Sequence, residues 1–184
     1  MSLILASASP RRKEIMQTAG LEFSVFVSDT DETLPDGISA SDAVTELSYR
    51  KALAVAKTHP DDTVIGADTV VALDGNILGK PSDKDDAARM LRSLSGKTHK
   101  VFTGVCIIRN SEVTKFFEET DVTFFQLTDE EIDAYIDTNE PMDKAGSYGI
   151  QGKGCALVKG ICGDYFNVVG LPAARLLKEL KNFQ

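Results

Sequence analysis

The run Ser7-Ala8-Ser9-Pro10-Arg11-Arg12 carries the most suggestive chemistry in the chain. It follows the apolar run Leu3-Ile4-Leu5-Ala6, and Ser9 and Pro10 are residue types that cap and open a helix. A helix N-terminus offers unpaired N–H groups and a partial positive charge, so it favours anions. Arg11 and Arg12 fall in the first turn, where a cation is disfavoured. Two arginines set against the dipole point to a group that holds them, such as a phosphate bound bidentately. The competing reading is two solvated arginines. The Gly-x-x-x-x-Gly-Lys P-loop pattern is absent.

Four further positions supply partners. Asp68 interrupts the apolar run Val64 to Ala72, where a buried carboxylate needs a cation or a metal, and Gly66 and Ala67 leave room for close approach. Such a carboxylate can serve as a general base or simply end a strand. Lys80 depends on register. A three-residue loop Asp74-Gly75-Asn76 sets it opposite Val70, on the face of Asp68 and roughly 7–8 Å away, whereas a two-residue loop sets it opposite Thr69 on the other face. Lys51 lies on the apolar stripe Val44, Leu47, Lys51, Ala54 of a predicted helix, aimed inward or snorkelling to water. Glu32, in an acidic loop, could join Asp68 around Mg²⁺ or Mn²⁺. A glycine-rich loop from Gly146 to Gly154 holds Gln151, whose amide edge could meet a base or could be part of a structural turn. Together these are the parts for metal-assisted attack on a nucleotide polyphosphate.

The elements that position them alternate early and pair by hairpins later. Leu3 to Ala6 reads as a strand and Pro10 to about Gly20 as a helix. Phe23 to Val27 follows as a strand and Ser28 to Gly37 as a loop. A helix capped by Ser39 and Asp42 runs to about Lys57. Thr63 to Leu73 is a buried strand, turned at Asp74-Gly75. Ser82 and Asp85 open a helix that ends near Gly96. Val101 to Ile108 and Val113 to Phe125 form a meander, and Thr128 with Glu131 caps the next helix. Cys155 to Ile161 and Tyr165 to Val169 read as strands, and Pro172 opens the last helix. The implied fold is α/β, with a mixed, twisted sheet and helices on its faces.

Composition narrows the classes. The chain has 184 residues, enough for one domain, or two lobes on one core. A net charge of −8 opposes a nucleic-acid footprint and confines any polyanion site to a local basic cluster. No run approaches the ~20 apolar residues of a membrane helix, and no secretory signal is read at the N-terminus, so a cytoplasmic protein is expected. Cys106, Cys155 and Cys162 read as small buried hydrophobes, neither a disulfide framework nor a zinc site.

These residues resemble the Maf family of nucleoside triphosphate pyrophosphatases. The matching pieces are Ser7-x-Ser9-Pro10-Arg11-Arg12, Glu32, Arg50-Lys51-Ala52, Gly66-Ala67-Asp68-Thr69, Lys80-Pro81, Leu94-Ser95-Gly96, Glu140-Pro141-x-Asp143-Lys144-Ala145-Gly146-x-Tyr148-Gly149-Ile150-Gln151-Gly152 and Val169-Gly170-Leu171-Pro172. They run in order along nearly the whole chain. The resemblance implies one domain over residues 1–184, two lobes around a cleft, with an inosine-triphosphatase-like fold. It implies hydrolysis of a nucleoside triphosphate to monophosphate and pyrophosphate with Mg²⁺ or Mn²⁺, the Gly-Ile-Gln-Gly loop being similar to the subgroup preferring dTTP and UTP, modified uridine nucleotides included. It assigns Asp68 as proton acceptor. Arg11, Thr69 and Gln151 set substrate preference, Ser7, Arg12, Lys51 and Lys80 bind phosphates, and Glu32 with Asp68 holds the metal. A homodimer is the family expectation, with no nucleic acid and no membrane. An amide at Gln151 can flip to suit cytosine as well as uracil, so discrimination by Gln151 alone is expected to be incomplete. The alternative is a non-catalytic nucleotide- or DNA-binding regulator of cell division.

Overall fold

The β-branched and apolar runs of the chain build one mixed sheet. The computed structural model describes residues 2–27 and 29–183. Its strands are β1 (Leu3–Leu5), β2 (Ser24–Val25), β3 (Thr63–Leu73), β4 (Asn76–Leu78), β5 (Thr98–Arg109), β6 (Glu112–Phe124) and β7 (Val158–Cys162). They lie in the order β2-β1-β3-β5-β6-β7, with β4 also on β3. β1 is parallel to β2 and β3, and the remaining pairs are antiparallel. The helices are α1 (Pro10–Thr18), α2 (Ala40–Ala56), α3 (Lys84–Leu94), α4 (Asp129–Ile136), α5 (Tyr165–Val169) and α6 (Ala173–Leu180). The expected α/β class and mixed sheet are what is found.

Caps explain the helix starts. Ser9 Oγ accepts from the Arg12 amide, and Ser39 Oγ accepts from the Asp42 amide. Thr128 and Glu131 form a full capping box. The helix at 84 is capped by Asp83, not Ser82, because the Asp83 carboxylate receives the Asp86 amide at 2.8 Å. Leu5, Ile15, Met16, Ile65, Val105 and Leu176 pack one face of the sheet, while Ile4, Ala52, Val55, Val64 and Cys106 pack the other. Leu91, Leu94, Phe124, Ile132 and Tyr135 fill the end beneath α3 and α4.

Several expectations are corrected. Residues 165–169 form the helix α5 rather than a strand. The Asp164 carboxylate caps it through the Phe166 amide, Gly170 (φ 127°) stops it, and the Asn167 side chain docks it by donating to Val101 O and Thr120 Oγ1. Residues 155–157 belong to a 3-10 turn, so β7 starts only at Val158. The strand expected over 23–27 shrinks to Ser24–Val25 at the sheet edge. Of the expected loop from Ser28 to Gly37, Ser28 lies outside the described residues. Cys106 is buried, but Cys155 and Cys162 are exposed.

The hairpin after β3 has a two-residue loop. Asp74 (φ 51°) and Gly75 (φ 81°) take the positive φ values of a primed turn, and Leu73 pairs with Asn76. The register that would align Lys80 with Val70 is therefore not formed. Pairing stops at Leu78, however, and Gly79 leaves the sheet to accept a hydrogen bond from the Gly146 amide. On that side of β3, pairing with β1 reaches only Ile65 and pairing with β4 begins at Val71. Between them the edge of β3 is not covered by a described strand, and Asp68 and Thr69 sit in this gap.

Helix α2 crosses β3 and β5 at very short range, and two glycines permit it. A Cβ on Gly66 would lie 2.3 Å from Ser48 O, and one on Gly104 would lie 2.2 Å from Val44 O. Gly104→Ala should therefore push the helix off the sheet and destabilise the protein by about 1–3 kcal/mol in urea denaturation. A change below about 0.5 kcal/mol, the scale of neutral surface substitutions, would contradict this packing.

Candidate active site

The gap in β3 opens into a cleft of about 690 Å³. Ser7, Arg11 and Arg12 line it from the end of β1 and the start of α1, and Lys51 from α2. Asp68 and Thr69 come from β3, Lys80 from beyond β4, and Glu32 from the acidic loop. Side chains alternate along β3, so Asp68 turns toward α2 and Thr69 toward α1 and α5. Gln151 stands apart: Gly149 and Ile150 line the cleft, and Gln151 follows as a half-buried neighbour.

Arg12 is 9% exposed. Its Nε donates to Gly170 O at 2.8 Å, Nη1 to Ser7 Oγ at 3.1 Å and Nη2 to Thr69 Oγ1 at 3.0 Å. A guanidinium has five N–H groups, so one remains on each Nη for a ligand in the cleft. Burial pushes its pKa below the ordinary value, Asp68 pulls it back, Arg11 pushes it down again and Glu32 supports it. It stays charged in the buried setting. Ser7 Oγ also accepts the Ser9 amide, which fixes the turn into α1.

Lys51 sits between two carboxylates. Its Nζ donates to Asp68 Oδ1 at 2.5 Å and pairs with Glu32 Oε1 at 2.7 Å. Both Lys51 and Asp68 side chains are mostly buried, as the inward stripe on α2 implies. The Lys51 hydrogen bond holds the Glu32 carboxyl below its usual range despite partial desolvation, with further help from the charges of Lys51, Lys80 and Arg12. The two carboxylates thus converge on one cation. Among the described residues there is no cluster of three or more His, Cys, Asp or Glu suited to a metal. Two hard oxygen donors facing a cleft nevertheless match the habit of Mg²⁺, which takes one or two carboxylates and completes its shell with phosphate and water.

Other residues here were not singled out for chemistry. Asp143 Oδ2 lies 3.9 Å from Arg11 Nη1, and Asp143 Oδ1 pairs with Lys144 Nζ at 2.7 Å. Lys144 Nζ also donates to Glu140 O at 2.6 Å. The glycine-rich loop wraps around the Glu140 carboxylate, which accepts the Lys153 and Gly154 amides and the Tyr135 hydroxyl. Tyr135 in turn accepts the Gly149 amide at 3.1 Å. Tyr148, on the cleft wall, packs edge-on against Phe124 and His99, and its hydroxyl shares a 2.7 Å hydrogen bond with His99 Nε2. An acidic and a basic residue next to each other in Asp143-Lys144, and the lone asparagine in Tyr165-Phe166-Asn167-Val168-Val169, were the available signals.

The model of the Maf-like protein family matches residues 2–183. A Bacillus cereus protein named dTTP/UTP pyrophosphatase is 55% identical over 98% of this chain and 95% of its own length. A Bacillus cytotoxicus protein of the same name is 56% identical over 98% of this chain and 94% of its own. The solved Ham1 protein of Staphylococcus aureus is similar over 67% of this chain and 72% of its own, at TM-score 0.49 and 16% identity.

His99 is buried beneath this wall, and burial pushes its pKa from 6.5 down to about 4, with Asp121 pulling weakly the other way. The unfolded chain therefore takes up a proton near pH 6.5 that the folded protein refuses until about pH 4. Stability is full above pH 6.5 and falls as the pH drops through that window. The expected loss between pH 7 and pH 5 is about 2 kcal/mol by urea denaturation. His99→Gln, which cannot titrate, should lose less than half as much, and an equal loss in both proteins would contradict the assignment.

Proposed function

The chain belongs to the Maf family, and from that premise we propose that it hydrolyses nucleoside triphosphates, dTTP and UTP foremost, to the monophosphate and pyrophosphate. Modified uridine nucleotides fall in the same class. The observation that carries this reading is the meeting of a buried arginine, two lysines and Asp68 in one cleft, where a triphosphate finds cations and a water finds a carboxylate.

Ser7, Arg12, Lys51 and Lys80 bind the phosphates. Arg12 presents its remaining N–H groups as a fork, already oriented by Ser7, Thr69 and Gly170. Lys51 is shared with two carboxylates, and a phosphate competes for it. As Lys51 leans to the phosphate, an Asp68 oxygen is freed to take a proton from water. The water oxygen bonds the α-phosphorus, the bond from that phosphorus to the bridging oxygen breaks, and pyrophosphate leaves. The fixed cations meet the negative charge gathering on the leaving group without reorganising. Glu32 and Asp68 would hold Mg²⁺ or Mn²⁺, which neutralises phosphate charge when bound. Arg11, Thr69 and Gln151 face or flank the cleft and set substrate preference. The chain works as one unit over residues 1–184, and a homodimer is the assembly we expect, in the cytoplasm. No helix among the described residues is long and apolar enough to cross a membrane. A non-catalytic DNA-binding role is disfavoured by the net charge of −8 and has no feature of its own in support.

Asp68→Asn keeps the shape and removes the proton acceptor. Turnover, read as pyrophosphate release from dTTP and UTP with Mg²⁺ or Mn²⁺, should fall roughly 10²–10⁴-fold. Activity equal to that of the unsubstituted protein would remove Asp68 from the role.

A further inference from the structure

One hydroxyl in the cleft cannot choose its polarity. Thr69 and Thr103 lie directly opposite on β3 and β5, with their Oγ1 atoms 2.9 Å apart. Thr103 Oγ1 also lies 2.9 Å from the backbone oxygen of Asn167, which can only accept. Thr103 has one proton and places it there. Thr69 must then donate its own proton to Thr103. One of the two lone pairs on Thr69 Oγ1 receives Arg12 Nη2–H at 3.0 Å. What Thr69 has left to offer the cleft is a lone pair, so it is an acceptor only.

The lock is held rigidly. Thr103 and Asn167 are both fully buried. The Asn167 side chain donates to Val101 O at 3.0 Å and to Thr120 Oγ1 at 2.9 Å, which ties α5 to two strands. Its carbonyl therefore cannot drift away from Thr103. Gln151 differs, since an amide can rotate to exchange donor and acceptor.

We propose that Thr103 is a positioning residue that fixes Thr69 as a hydrogen-bond acceptor, and that Thr69 thereby selects a pyrimidine ring carrying N3–H. This rests on the reading of the cleft as a pyrimidine nucleoside triphosphate site and of Thr69 as one of the residues that set its substrate preference. Of the donors that dTTP and UTP share, the ribose 3′ hydroxyl is common to other nucleotides and selects nothing. The ring N3–H separates uracil and thymine from cytosine, whose N3 is an acceptor and would face the Thr69 lone pair unpaired. A mismatch of that kind sets two acceptors face to face with no proton between them, which is a stronger penalty than a merely absent contact.

The test is the ratio of kcat/KM for UTP to that for CTP. Thr103→Val is nearly isosteric and removes the proton acceptor, so the Thr69 hydroxyl is released to turn and donate. The UTP:CTP ratio should fall at least tenfold, while Thr103→Ser, which keeps the hydroxyl, should hold the ratio within about threefold of the unsubstituted protein. An unchanged ratio in a folded Thr103→Val protein overturns the proposal, as does an equal fall in the Thr103→Ser protein. If Thr103→Val does not fold, Thr69→Val removes the acceptor itself and must lower the ratio in the same way; a preserved ratio there also overturns it. Absence of pyrophosphate release from any nucleotide by the unsubstituted protein would instead refute the underlying reading of the cleft, a separate outcome.

Discussion

Everything at the site depends on how closely α2 lies on the sheet. Gly66 on β3 and Gly104 on β5 lie diagonally, Gly104 directly opposite Asp68, and neither tolerates a Cβ under the helix backbone. Because the helix sits that low, Lys51 reaches Asp68 two residues past Gly66, with both side chains mostly dry. A longer stand-off would leave a buried carboxylate without its cation, a costly arrangement in a low-dielectric setting. The same strand is uncovered between the partners β1 and β4, which makes the shielded carboxylate reachable from the cleft. Contact on one face pairs Asp68 with a cation, and exposure at one edge leaves it open to the cleft.

The second face of β3 is organised around Arg12. Its charge is buried, so its hydrogen bonds to Gly170, Ser7 and Thr69 and the field of Asp68 are needed to keep it there. Those partners come from both ends and the middle of the chain, which makes the guanidinium a fixed fork. Arg11, Arg12, Lys51, Lys80 and Lys144 outnumber Glu32, Asp68 and Asp143 along the cleft, although the whole chain carries −8. A cationic pocket in an acidic surface steers polyanions to one place and repels them elsewhere.

Much of this was legible in the residues, for physical reasons. Ser9-Pro10 and Ser39 announce helix starts through caps, and Asp68 stands out because a strand has no use for a carboxylate. Period set Lys51 in line with Val44 and Leu47 and left open whether it reached inward or to water; its contact with Asp68 decides for inward. Lys80 lies at the cleft, but not through the three-residue loop that would set it opposite Val70. Asp74-Gly75 makes a two-residue turn, but Lys80 leaves the strand before register matters. Helix α5 was misread because Tyr165, Phe166, Val168 and Val169 favour strands, while its cap, its glycine stop and the Asn167 anchor act through tertiary contacts. The Thr69–Thr103–Asn167 chain was beyond reach for the same reason, as its members lie 34 and 64 residues apart in sequence.

In the proposed reaction water attacks the α-phosphorus and pyrophosphate leaves. Turnover of dTTP in ¹⁸O-water, with the products separated and weighed by mass spectrometry, tests it most directly. Attack at the α-phosphorus places one ¹⁸O in the monophosphate and none in pyrophosphate. Label in pyrophosphate, or release of a diphosphate and orthophosphate, would contradict it.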